Sequence, residues 1–231
     1  MKIAVDLHIH SALSPCADDD MTPNNIVNMA MLKKLDAISV TDHNSCDNVQ
    51  AIMKVANPKL VVVPGMEVQT KEEVHLLCYF ENLDKLLDFE ELIRSKLPDI
   101  ANVPEVFGNQ LIMDEKDRIL GQRDQLLISS VDLSVEQVLD EVCKREGALV
   151  PAHIDRPSYS IISQLGFIPE SLENGMLEIS RRNSQYSNKF PEEKILYSSD
   201  AHHLGQILER ESFLHVDKLS VLDIVYTLGR K

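Results

Sequence analysis

Two textures alternate along the chain: short unbroken apolar runs, and longer stretches with apolar residues three and four apart. The run KIAVDLH (2–8) reads as a buried strand. Thr22-Pro23 then supplies an N-cap and a first-turn proline for a helix carried by Ile26, Val27, Ala30, Met31 and Leu35. AISVTDH (37–43) is a second strand, Ser45 to about Ala56 a helix, KLVVVPGMEV (59–68) a third strand and VHLLCYF (74–80) a fourth. From Leu83 to Leu97, LDKLLDFEELIRSKL has strong helical spacing. Residues 98–131 break the rhythm: FGNQLIMDEKDRILGQRDQLL alternates loosely around the polar turn EKDR and predicts an inserted hairpin or irregular excursion. Ser134-Val-Glu-Gln137 is a capping-box pattern opening a helix to about Arg145, followed by the strand ALVPAHI (148–154). GMLEIS (175–180), KILYSSD (194–200) and SFLHV (212–216) are later strands, and a helix near Lys218–Leu228 closes the pattern. Such alternation predicts an α/β fold, either a parallel barrel or an open sheet. At 231 residues, one domain over 1–231 is expected.

Composition changes this picture little. With 44% hydrophobic and 26% charged residues the chain is of ordinary globular type, which sets aside disordered and collagen-like classes. Charge says more: 23 Lys and Arg stand against 37 Asp and Glu, a net −14, so the overall field repels phosphate backbones. Long nucleic acids are therefore not expected as partners, although a metal site reverses the sign locally. Cys16, Cys46, Cys78 and Cys143 are scattered without a C-x-x-C pair, and no charged-then-apolar leader opens the chain, which reads as reduced thiols in a cytoplasmic protein. The longest apolar runs, such as LVVV at 60–63, are far too short for a bilayer, so no membrane role is expected.

The candidate chemistry lies in the histidines. In DLHIH, His8 and His10 share one strand face about 7 Å apart, within chelating distance of one ion. Five of the eight histidines, His8, His10, His43, His153 and His202, sit at or just beyond the C-terminal ends of strands, where α/β barrels build their sites. Asp42, Glu67 and Asp200 share those positions, and SSDAH repeats the two-residue spacing of DLHIH. His75 begins a strand instead of ending one and is the weaker candidate by position; if strands three and four fold back on each other through QTKEE, it returns near Glu67. His203 and His215 are left aside. So many imidazoles and carboxylates exceed what one tetrahedral ion uses, whereas two or three divalent ions about 3.5–4 Å apart would employ them, with Glu67 as the natural bridge. Zinc, manganese or iron would suit such mixed donors.

DLHIHS, TDHN, PGMEV, EVHLL, PAHIDR and SSDAH, in this order, resemble the motif set of the PHP family, named for its polymerase and histidinol phosphatase members. The resemblance implies a distorted (β/α)7 TIM-like barrel with up to three metal ions at its C-terminal face. By motif, His8, His10, Glu67 and Asp200 would hold a first ion, and Glu67, His75 and His153 a second. His43 and His202 would share a third with a residue of the first loop. There the chain departs from the family's HS-x-x-SDG-x-x-TP, reading HSALSPCADDDMTP. Counting back from Thr22-Pro23 selects Asp18, and counting forward from His10 selects Pro15 or Cys16. Asp18 is preferred, because a carboxylate fits a His-rich hydrolytic site better than a thiolate.

Metal-activated water and a cation cluster that offsets phosphoryl charge would make this a metal-dependent phosphoesterase acting on a small phosphomonoester, a nucleotide or sugar phosphate. Arg156 and Arg181, or its neighbour Arg182, follow strand ends and can clamp phosphate oxygens. Other readings are an exonuclease or oligonucleotide phosphodiesterase, a non-catalytic metal-binding regulatory module, and an amidohydrolase-like enzyme. Substrate identity and oligomeric state are not readable from the residues.

Overall fold

The computed structural model describes all residues except 174, 181–185, 187–188, 192–193 and 230–231. In chain order its elements begin with β1 (Lys2–Ile9), α1 (Pro23–Leu32), β2 (Ala37–Val40), α2 (Val49–Val55), β3 (Val61–Val62), β4 (Gly65–Gln69), β5 (His75–Tyr79) and α3 (Leu83–Lys96). There follow α4 (Pro104–Phe107), β6 (Leu111–Met113), β7 (Ile119–Gln122), α5 (Val135–Lys144), β8 (Ala148–Pro151) and α6 (Ile161–Leu165). The chain closes with β9 (Leu177–Ile179), β10 (Ile195–Tyr197), β11 (Phe213–His215) and α7 (Val221–Leu228).

The helix starts follow the expected chemistry. Thr22 accepts from the Asn25 amide ahead of Pro23, and Ser134 with Gln137 closes a reciprocal capping box on α5. Helix α1 stops at Leu32, short of the expected Leu35, because Lys34 turns left-handed (φ 59°) and directs Leu35 back into the core. The excursion at 98–131 is the hairpin β6–β7 about the EKDR turn, with α4 before it.

The fold is mixed α/β, as expected, but the strands are not all parallel, and the distorted (β/α)7 TIM-like barrel that the resemblance implied does not appear as one ladder among the described residues. Strands β1, β2 and β3 are parallel, as are β9 and β10, but β11 runs antiparallel on β1 and β5 runs antiparallel to both β4 and β8. Four separate sheets result, with no continuous closed ladder among the described residues. Single links join their ends: parallel bridges Ile9–Ala201 and His43–Glu67, and the hydrogen bond from Ile154 N–H to the Glu178 carbonyl. The break inside the expected strand 59–68 is at Pro64, which has no N–H to give a ladder. Before it β3 extends the β1–β2 sheet; after it β4 turns to pair with β5. No described helix is long and apolar enough to cross a membrane, and all four cysteines are free.

Gly65 starts β4 where side chains crowd: a Cβ there would lie 2.5 Å from Ser39 Oγ and 2.9 Å from Thr41 Cγ2. Gly65→Ala is expected to destabilise by about 1–3 kcal/mol through overpacking, lowering Tm by several degrees in a thermal melt. An unchanged Tm would show that β4 is free to shift.

Candidate metal centre

The strand ends deliver their side chains to one point. His8 and His10, both fully buried, alternate off β1 with Asp200 from the segment after β10 beside them. Glu67 lies within β4, and the β4–β5 hairpin pairs Gln69 with His75, which brings the His75 ring back to Glu67. His43 follows β2 and His153 follows β8. Three groupings have ligand atoms mutually within 4.8 Å: His8, His10, Glu67 and Asp200; His43, Glu67 and His75; and His10, His43 and His202.

Glu67 is the focus. Its Oε1 is 2.9 Å from His75 Nδ1 and 3.3 Å from both His8 Nε2 and His153 Nε2, while Oε2 is 3.0 Å from His43 Nδ1 and 3.3 Å from His10 Nε2. Yet neither oxygen, though buried, is satisfied by a hydrogen bond. A buried carboxylate without donors is costly unless a cation faces it. Donors held about 2.0–2.2 Å from one tetrahedral ion lie about 3.4 Å apart, close to the spacings seen.

Partner groups fix which ring nitrogens face inward. His8 Nδ1 is 3.1 Å from both oxygens of Glu178, and a carboxylate only accepts, so Nδ1–H donates and Nε2 is bare. Ser14 donates its hydroxyl to Asp42 and therefore accepts from His10 Nδ1–H at 2.9 Å. His75 Nε2–H donates to Gln69 Oε1, and His202 Nδ1–H to the Asp200 carbonyl. His8 Nε2 and His10 Nε2 consequently meet at 3.1 Å with both lone pairs aimed at one spot, an arrangement that requires a proton or a metal cation between them. The buried donors thus fit divalent ions.

Electrostatics agree. Burial alone would raise Glu67, but His75, His8 and His43 hold it well below the carboxylate range. Burial lowers His8, yet Asp200, Glu178 and Glu67 raise it well above an ordinary imidazole; His10 likewise reaches about 9 against burial and the neighbouring His43. Burial dominates at His75 and brings it down to about 4. Burial would raise the Cys16 thiol too, but His43 and then His202 beside it bring it to about 5.

Backbone strain gathers here as well. Asn44 (φ 49°), His153 (φ 29°), Tyr159 (φ 56°) and Asp200 (φ 50°) all occupy the left-handed region that non-glycine residues avoid. Asn44 is held there by donating to the carbonyls of Leu127 and Ser129. Tyr159 accepts the His75 N–H on its carbonyl and stacks its ring on His75 at 4.8 Å.

Of the residues expected at the site, the structure brings together His8, His10, His43, Glu67, His75, His153, Asp200 and His202, the last at the rim. Asp18 is exposed and is in none of these groupings; its backbone N–H bonds to the His202 carbonyl at 2.8 Å. Cys16 is exposed too, near enough to His43 and His202 for them to lower its thiol. Arg156 sits at the mouth, paired with Asp200, whereas Arg181 and Arg182 lie outside the described residues. A cavity of about 80 Å³ opens over the cluster between Arg156, Ser158 and Tyr159. Asp42 does not face the cluster, because Ser11 and Ser14 occupy its oxygens.

Glu178 is the residue that motif reading missed. An acid at the centre of the buried run MLEI was the available signal, since such positions are almost never acidic without a partner. It orients His8 and accepts the His153 N–H at 2.9 Å. Glu178→Ala is expected to weaken metal binding about 10–100-fold by titration calorimetry, while leaving the fold intact by circular dichroism. Wild-type affinity in the variant would remove Glu178 from this role.

An uncharacterised protein of Methanocaldococcus jannaschii, MJ0043, is 26% identical over 163 residues, covering 71% of this chain and 18% of that protein. Among solved structures, endonuclease Q of Pyrococcus furiosus superposes with a TM-score of 0.72 at 20% identity, over 99% of this chain and 56% of its own. A candidate metal-dependent phosphoesterase of Bifidobacterium adolescentis gives a TM-score of 0.62 at 16% identity, over 98% and 96%. The chain thus spans only about half of the endonuclease and a fifth of the archaeal protein. Endonuclease Q has also been solved with a 27-mer duplex carrying an abasic lesion at its active site. That overturns the expectation that long nucleic acid is excluded. Net charge is a sum over the whole surface, whereas a phosphate meets the local field at the cluster, where cations decide the sign. The sequence profile of the PHP domain matches residues 6–148, well over half of the protein, and this chain belongs to that family.

Proposed function

We propose that this protein is a metal-dependent phosphoester hydrolase whose reaction centre is the Glu67 cluster. The observation that carries this reading is the carboxylate of Glu67, buried without a hydrogen bond amid five imidazole nitrogens. His8, His10, Glu67 and Asp200 form one ligand set, Glu67 with His75, His153 and His43 a second, and His43 with His202 the core of a third. Two or three ions are expected, zinc, manganese or iron. Ions held there would supply a water with a pKa near neutrality and would offset charge on the phosphoryl oxygens.

The protein's own groups do the rest. Glu178, Ser14 and Gln69 hold His8, His10 and His75 as fixed tautomers, so their lone pairs do not reorganise during reaction. Arg156, already paired with Asp200 at the mouth, is placed to share its remaining N–H donors with a phosphate oxygen. Ser11 and Ser14 are committed to Asp42 and are not nucleophiles.

For the substrate, a nucleic-acid phosphodiester is favoured by the likeness to endonuclease Q along nearly the whole chain. A small phosphomonoester is the second reading, favoured by the small size of the cavity over the cluster, about 80 Å³. The test is a release assay across phosphomonoesters, short oligonucleotides and duplex DNA with and without an abasic site, in manganese or zinc, beside His153→Ala. Cleaved oligonucleotide or duplex supports the first reading and phosphate from monoesters alone the second, provided either vanishes in the variant. No turnover of any ester by metal-loaded protein would end the phosphoesterase reading.

A further inference from the structure

The loop between β8 and α6 is tied down along its length, yet what it displays is an exposed aromatic ring. Arg156 N–H bonds to the His153 carbonyl at 2.9 Å. Ser160, fully buried, donates its hydroxyl to the Arg156 carbonyl at 2.8 Å and caps α6. Between these ties Tyr159 is left-handed (φ 56°), a conformation that a bulky residue keeps only under strain. Its carbonyl accepts the His75 N–H at 2.9 Å, so β5 holds it there. The ring lies nearly parallel to the His75 imidazole, with centroids 4.8 Å and planes 17° apart. A ring placed for packing alone would be buried, as Phe80 and Phe89 are, but Tyr159 is 43% exposed. With one face on His75, its outward side opens on the cavity over the cluster, which Arg156 also lines. A phosphate held at Glu67 and Arg156 would have its ester group beside this ring.

We propose that Tyr159 binds the group esterified to the phosphate: its outward face stacks a nucleobase, so the substrate class is a phosphate ester whose adjoining sugar carries a base. This rests on the phosphoester reading above and narrows its substrate. Stacking suits the geometry, because every base has a flat π face and needs no directed hydrogen bond to be held. Among the described residues, the cavity lining outside the cluster adds only Arg156 and the exposed Ser158 to the ring. The preference is therefore for a base over none, not for one base over another. Mononucleotides and nucleic-acid strands share this chemistry.

Calorimetric titration of manganese-loaded protein with thymidine 5′-phosphate and with 2-deoxyribose 5-phosphate, which lacks the base, measures this without requiring turnover. The base-bearing phosphate is expected to bind about 10–100-fold tighter. Tyr159→Phe keeps that ratio, whereas Tyr159→Leu, which retains apolar cover over His75 but no flat ring, brings it near one. Oligothymidylate with and without a terminal abasic unit forms the polymer arm. A ratio that depends on the ring in either arm supports the platform, and the arm with the larger ratio identifies the source of the base. Equal affinities in wild type would overturn it. So would a leucine variant that weakens both ligands alike and keeps the ratio, because the ring would then only pack against His75. Wild type that binds no phosphate and cleaves no ester would sink the phosphoester reading, and the platform with it.

Discussion

Glu67→Gln is expected to lower kcat by about a thousandfold or more and to reduce bound metal in the purified protein. The substitution keeps the shape of the side chain and removes one negative charge from the point where two of the ligand groupings meet. Divalent ions contribute several kcal/mol to stabilising phosphoryl-transfer charge, and about 4 kcal/mol corresponds to a thousandfold. The amide also brings an NH2 donor into a space lined by imidazole lone pairs, so ligand geometry suffers along with charge. Steady-state kinetics with elemental analysis of the protein check this. Retention of both activity and metal content in the variant would remove Glu67 from the centre of the site.

Chelation should act as strongly on stability as on turnover. Ions that bind only the folded chain stabilise it by RT ln(1 + [L]/Kd), about 4 kcal/mol at a thousandfold excess over Kd. For a protein of this size that corresponds to a Tm loss on the order of 10 °C, with complete loss of activity. The pH dependence should change sign between the two forms. Without metal, a proton takes the cation's place: His10 titrates near 9 and His8 is raised as well. Groups with folded pKa above their unfolded value stabilise the fold below about pH 6.5, and that contribution is lost as pH rises through the folded pKa. The metal-free protein should therefore lose Tm between about pH 6.5 and 9. Metal-loaded protein should gain over the same interval, because the ions compete with those protons. Melting curves with and without chelator across this window decide it, and parallel slopes would mean that protons and ions do not share the site.

Much of this arrangement was legible before any coordinates. Pairs such as His8 with His10 obey the two-residue period of an extended chain, and β1 is extended, so both rings reach one face. The return of His75 to Glu67 followed from one short polar connection between two apolar runs. The split at Pro64 was also readable in principle, because a proline removes a ladder donor; the apolar residues on either side masked it. Net charge misled, being a whole-surface sum with no information on the field at one cavity.

Local periodicity and residue chemistry alone thus marked out most of the α/β elements and the histidines and acids that the fold brings together. Only the folded chain decided that β5 lies antiparallel between β4 and β8, that Glu178 from a distant strand orients His8, and that the Asp18 side chain stays exposed while its N–H bonds to the His202 carbonyl. The division has a physical cause. Periodicity is set by each residue's own backbone geometry, whereas loop register and buried partners are set by contacts between segments far apart in the chain, which no single stretch encodes by itself.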